Sequence, residues 1–193
     1  TAALHLAVDS ILKPGEEILV PSLTFLSSYQ AISAAGVVPI SCEVNEETLS
    51  IDLKDAVNRI TSKTKAIMCV HYASNPASLK ELYSFANLHG LRVIEDAAHA
   101  FGASYEDGQK VGSCSFSDMT VFSFHPVKSI TTGEGGMVTT NDYELYKKLI
   151  RLRSHGINKL DDEFTNPILS KTAGVINPWY YEMIELGFNF RLT

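Results

Sequence analysis

The chain has 193 residues, 16 Lys plus Arg against 22 Asp plus Glu, a net charge of −6, and a composition 45% hydrophobic and 20% charged. It is too apolar to stay disordered and long enough for a sizeable core. It lacks the basic run that nucleic acid demands and the ~20-residue apolar stretch of a membrane helix.

The first element is a helix, because Leu4, Ala7, Val8, Ile11 and Leu12 recur at helical spacing until Lys13-Pro14-Gly15 ends it. Glu17 to Val20 predicts a buried strand closed by Pro21. Phe25 to Ala35 predicts a helix closed by Gly36, and Val37 to Cys42 a strand. Next come a helix over Leu53 to Ile60, a strand over Lys65 to Val70, a helix over Leu79 to His89 and a strand over Leu91 to Glu95. Short apolar strands alternating with amphipathic helices indicate an α/β fold whose parallel sheet is covered on both faces. Beyond Asp96, Asp107-Gly108 marks a tight turn between Ala103–Tyr105 and Lys110-Val111. Strands over Met119 to Phe124 and Gly136 to Thr140 follow without a helix between them, so part of the sheet is expected to be antiparallel. A helix over Asp142 to Ser154 comes next, and 157–178 reads as a long loop. One domain accounts for the pattern. Starting in mid-helix at Thr1 and stopping at Thr193, the chain reads as a piece of a longer protein. Cys42, Cys69 and Cys114 lie far apart with no CxxC spacing, which fits buried thiols in a reduced, cytoplasmic enzyme rather than disulfides or structural zinc.

Ligands of open α/β sheets sit at the carboxyl ends of the strands. Three such ends are polar: His71-Tyr72, Glu95-Asp96 and Ser123-Phe124-His125. On position alone, a helix N-cap is the more economical reading of Asp96, and His71 and His99 serve equally well as structural histidines. Ser123-Phe124-His125-Pro126-Val127-Lys128 leads into Ser129, Thr131, Thr132 and the glycines 133, 135 and 136. Hydroxyls, glycine amides and a lysine in one turn can cradle a phosphate, although neither the P-loop nor the GxGxxG pattern is present. A lysine can form a Schiff base with an aldehyde. A carboxylate can keep a pyridine nitrogen protonated. Hydroxyls and helix-start amides can bind a phosphate, and an aromatic ring can stack on the pyridine. Together these are the requirements of pyridoxal phosphate (PLP).

The blocks VIEDAAHAFGA and FSFHPVKSITTGEGGMV, with TAALHLA, GEEILVPSLTFLSS, VHYASNP, RLRSHGI and PWYYEMIELGFNFRLT, resemble the DegT/DnrJ/StrS sugar aminotransferases of PLP fold type I over nearly the whole chain. The resemblance implies a three-layer αβα large domain with a mostly parallel mixed sheet across residues 1–193. A small C-terminal domain and an N-terminal segment would lie outside it, in a chain about twice as long. It implies that Lys128 holds the cofactor and carries the proton, and that Asp96 pairs with the pyridine nitrogen. His99 would sit beside the ring, and Phe25 would stack on it. Ser123 and the backbone at Thr1 and Ala2 would bind the phosphate, and Asn189 would reach the phosphate of a neighbouring subunit in a homodimer. These expectations favour a catalytic Asp96 over a cap.

The expected reaction transfers an amine from glutamate to a nucleotide-linked keto sugar. Arg153-Ser154-His155-Gly156-Ile157 and Pro178–Glu182 resemble the pseudaminic acid branch, whose substrate is a UDP-linked 4-keto-6-deoxy-N-acetyl hexose. The alternatives are a PLP-dependent sugar dehydratase, which carries histidine where this chain has Lys128, and an inactive regulatory paralogue, which would not need Asp96, Ser123 and Lys128 together. Two departures stand out near the site: Ser74 replaces a glycine of the family and Ser78 an aspartate.

Overall fold

The computed structural model describes residues 1–76, 79–159 and 164–191. Ser78 and Thr193 therefore lie outside the described residues. Helix α1 (Ala2–Ile11) leads to strand β1 (Glu17–Pro21), α2 (Leu26–Ala34), β2 (Val38–Cys42), α3 (Leu53–Asn58), β3 (Thr64–Val70), α4 (Leu79–His89) and β4 (Arg92–Asp96). After a long connection come β5 (Met119–Ser123), β6 (Gly136–Thr139) and α5 (Tyr143–Arg153).

The main sheet has the order β2-β1-β3-β4-β5-β6. Its first five strands run parallel, with Leu19 beside both Ile40 and Ile67, Val70 beside Asp96, and Asp96 beside Val121. Only β6 is antiparallel, with Gly136 beside Ser123. The mixed sheet expected from the missing helix after β5 is thus observed. Strand alternation sorts the core into two layers. Ile18, Val20, Ala66, Met68, Ile94, Met119 and Val121 pack with α1, α2 and α5 on one face. Leu19, Ile67, Cys69, Val93 and Phe122 pack with residues of α3 and α4 on the other. The three cysteines are free and buried. Burial pushes the Cys42 thiol up to about 11 and the Cys69 thiol well above its ordinary value, so both act as small apolar side chains.

Two details depart from the sequence reading. Helix α2 starts at Leu26, because Phe25 keeps an extended backbone as its N-cap residue. The span read as a loop holds short elements: β7 (Ile157–Asn158), α6 (Pro167–Ser170), β8 (Lys171–Thr172) and β9 (Val175–Ile176), followed by β10 (Glu182–Met183). Strands β8 and β9 form a hairpin across Ala173 and Gly174, both at positive φ (51° and 81°), which suits a tight two-residue turn. Two-residue strands carry no readable alternation, and Ala-Gly is a weak turn signal. The turn at Asp107-Gly108 forms as expected, with Ser104 bridged to Lys110. Among the described residues, no helix is long and apolar enough to cross a membrane.

Candidate active site

Strand order reverses at β1, with β2 on one side and β3 on the other, and the crevice opens at the carboxyl ends there. A cavity of ≈ 580 Å³ occupies it. The segments following β1, β3, β4 and β5 line it, together with the start of α1.

Asp96 ends β4 and is buried, with Ser28 Oγ donating to its Oδ2 at 2.9 Å and the Ala98 amide to its Oδ1 at 3.2 Å. No helix follows, so Asp96 caps nothing. Its carboxylate is fixed by a turn amide and by a hydroxyl from α2. Thr24 in turn lies 2.7 Å from Ser28 Oγ, and because Ser28 gives its proton to Asp96, Thr24 is the donor in that contact.

Lys128 is half-buried at the cavity wall, and among the described residues no side chain hydrogen-bonds its Nζ. Its turn is built by Lys128 N donating to His125 O at 2.9 Å and Thr131 Oγ1 donating to Phe124 O at 2.8 Å. The N-terminal end of α1 borders the cavity through Thr1 and Leu4. The helix lies close on β6: a Cβ at Gly136 would stand 3.2 Å from Ala3 Cβ and 3.0 Å from Phe122 O. Glycine there lets the helix start reach the cavity.

Six predicted residues therefore meet in one cavity: Thr1, Phe25, Asp96, His99, Ser123 and Lys128. Ala2 is exposed in the first turn of α1. Asn189 does not line this cavity; its backbone bridges Ser154.

A model of the DegT/DnrJ/EryC1/StrS aminotransferase family matches residues 1–193. The chain belongs to this family. GDP-perosamine synthase of Escherichia coli O157:H7 is 38% identical over 194 residues, covering 100% of this chain and 48% of that protein. Helicobacter pylori PseC, an aminotransferase involved in the biosynthesis of pseudoaminic acid, aligns with a TM-score of 0.80 at 29% identity, over 99% of this chain and 48% of the other. The PLP form of a Streptococcus pneumoniae protein described as a putative sugar aminotransferase aligns with a TM-score of 0.76 at 28% identity, over 97% and 48%. The chain spans about half the length of the curated relatives it matches.

The fold is the type I fold of PLP-dependent transferases, whose cofactor is PLP. The cavity fits that group. It offers a lysine whose Nζ has no hydrogen-bond partner among the described residues, a fixed carboxylate, the N-terminal end of α1 as a place for a phosphate, and an aromatic side chain, Phe25, that is 74% exposed at the rim. A ring that exposed buries little apolar surface unless a ligand covers it.

Within this DegT-family site, the sequence reading missed two features. The first is Ser28, one helical turn beyond Phe25, whose hydroxyl gave no signal of its own. The second is Glu95. It is fully buried on the opposite face from Asp96 and accepts from His71 Nε2 at 2.6 Å, Tyr105 OH at 2.7 Å, Thr120 Oγ1 at 2.8 Å and Ser117 Oγ. Burial pushes its carboxyl up, but the bond to His71, with the Ser117 and Tyr105 hydroxyls, outweighs it and holds the group below its ordinary range. Burial and the Glu95 charge push the Tyr105 phenol up. A glutamate placed directly after Val93-Ile94 in a strand was the available clue. His71, readable as a core histidine or a substrate contact, is 3% exposed and borders the cavity.

The loop after β3 carries the Ser74 departure. Ala73 and Ser74 both stand at positive φ (51° and 68°), the region glycine adopts freely. The Ser74 hydroxyl donates to the carbonyl of His99, tying this loop to the segment after Asp96.

Proposed function

We propose that this chain is the cofactor-binding half of a PLP-dependent aminotransferase acting on a nucleotide-linked keto sugar, with glutamate as amino donor. The supporting observation is the convergence of Lys128, whose Nζ has no hydrogen-bond partner among the described residues, and a fixed Asp96 on one cavity beside the N-terminal end of α1. PLP, when bound, supplies an aldehyde and an electron-withdrawing ring through which an amine passes from donor to acceptor. Lys128 holds that aldehyde at Nζ and moves a proton at the same atom. Asp96 holds a proton on the ring nitrogen, Phe25 covers one ring face and excludes water, and His99 flanks the ring. The first amides of α1, at Thr1 and Ala2, and the Ser123 hydroxyl bind the phosphate.

The substrate of this proposal is a 4-keto-6-deoxy sugar, with a UDP-linked N-acetylhexose favoured by the segments Arg153–Ile157 and Pro178–Glu182 and by the likeness to PseC. The 38% identity to GDP-perosamine synthase favours testing a GDP sugar beside it. The working form is a homodimer in the cytoplasm. Asn189 reaches the neighbour's phosphate, and a small C-terminal domain completes each pocket. The exposed apolar side chains Ile168, Trp179, Met183 and Leu186 support a covering partner surface. Lys128, where a dehydratase has histidine, disfavours the dehydratase reading.

The test uses the full-length protein. It should take up PLP with a visible absorbance that bleaches on adding glutamate. Mass spectrometry should then find one aminated product in a panel of UDP-, GDP- and dTDP-linked 4-keto sugars. No absorbance, or absorbance without amination of any sugar, overturns the proposal.

A further inference from the structure

The Glu95 cluster on the closed face of β4 ends at the cavity through His71. An ionised carboxylate has about four acceptor positions, and here each oxygen accepts two bonds. Oε2 takes His71 Nε2 and Tyr105 OH, and Oε1 takes Ser117 and Thr120. No position remains for a proton on Glu95, so His71 Nε2 must be the donor in its contact. The backbone closes the arrangement: His71 N donates to Asp96 O at 3.0 Å. The imidazole also meets the Tyr105 ring edge-on at 6.4 Å between centroids. Both the plane and the tautomer of His71 are thereby fixed from outside the cavity. Its other ring nitrogen, Nδ1, has no hydrogen-bond partner among the described residues, and the ring borders the cavity. A neutral imidazole protonated at Nε2 carries its lone pair on Nδ1. The lone pair is therefore what His71 offers.

We propose that Glu95 and His71 form a positioning pair that presents His71 Nδ1 as a hydrogen-bond acceptor on the cavity wall, facing a donor group, a sugar hydroxyl, of the bound substrate. The identity of that donor rests on the aminotransferase reading above. The tautomer does not. Glu95 is the positioning residue and acts only through His71. A carboxylate behind an imidazole fixes the tautomer and the orientation of the ring.

The experiment uses full-length protein labelled with 15N-histidine, with the His71 signals identified by their loss in His71→Asn. Expected is a protonated Nε2 and a bare Nδ1 without ligand. The Nδ1 resonance should shift when PLP and a UDP-linked 4-keto-6-deoxy-N-acetylhexose, or its GDP-linked counterpart if that is the sugar aminated, are added. Kinetics should show His71→Leu raising KM for the sugar about tenfold, the equivalent of one lost hydrogen bond, with kcat changed less. His71→Asn, which keeps an acceptor near the Nδ1 position, should stay closer to the parent. Glu95→Gln should move the proton from Nε2 to Nδ1 and raise KM as His71→Leu does, although it removes nothing from the cavity. A purely structural role would leave the tautomer and the KM pattern unmoved. A protonated Nδ1 in the free protein overturns the pair. So does an Nδ1 signal unmoved while the absorbance shows PLP and sugar both bound. So do unchanged KM values in both His71 variants. Failure of the aminotransferase reading appears separately, as a missing Lys128-dependent absorbance with the His71 tautomer intact.

Discussion

Asp96 and Glu95 are neighbours on one strand and do opposite things. Asp96 faces the cavity with α1 and α2 behind it and has two donors, Ser28 and the Ala98 amide. Glu95 faces the α3/α4 layer, is shut off from solvent, and has every acceptor position filled. Strand geometry separates them, since successive side chains point to opposite faces. The difference teaches that a buried carboxylate is kept either for a ligand, with acceptor capacity left over, or for its protein partners, with none. Substitutions on the open side should strike turnover, and substitutions on the closed side should strike stability.

The largest expected effect is on the open side. Lys128→Ala should abolish turnover and the cofactor absorbance, while circular dichroism and Tm stay near the parent, because no described side chain depends on Nζ. Asp96→Asn should cost about 10²- to 10³-fold in kcat, the scale of removing one well-placed polar group from a reacting centre, with the protein still folded. A variant that kept parental turnover at either position would erase the distinction.

On the closed side, Glu95→Ala leaves His71, Tyr105, Ser117 and Thr120 without their shared acceptor. Breaking such a cluster costs about 3–5 kcal/mol, measurable by denaturant unfolding. The pH dependence has a definite sign. The folded Glu95 carboxyl sits below its unfolded value, so its stabilisation is complete above the ordinary carboxylate range and is lost as pH falls through the folded value. Thermal melts should show an acid limb that Glu95→Gln flattens. The smallest effect belongs to the loop beside both faces. Ser74→Gly should raise stability by about 1 kcal/mol through relief of positive φ, and an unchanged or lower Tm would refute this.

The segment 164–191 shows where sequence patterning fails. It is held by Glu182, which accepts from the Thr165 amide at 2.7 Å, the Asn166 amide at 2.9 Å and Tyr180 OH at 2.7 Å. The backbone bond to Thr165 and the bond to Tyr180 bring the Glu182 carboxyl down to about 2. Such anchoring joins a side chain to backbone amides sixteen and seventeen residues away, and no periodicity announces it. Ile168, Trp179 and Leu186 stand exposed.

Helical spacing with Pro-Gly or Gly stops, and short apolar runs between them, were enough to predict the helices and parallel strands through β4, since burial on both faces imposes a pattern on the residues themselves. The lysine and aspartate blocks were legible because their chemistry depends on residue type. The contact of Ser28 with Asp96 was not legible, nor was the closure of four donors around Glu95, nor the place of the buried His71 ring between that cluster and the cavity. Each joins side chains that are distant in the chain, across strand positions fixed only when the sheet assembles. Residue identity supplied the acids, bases and hydroxyls, and tertiary packing decided which of them have partners and which are left for a ligand.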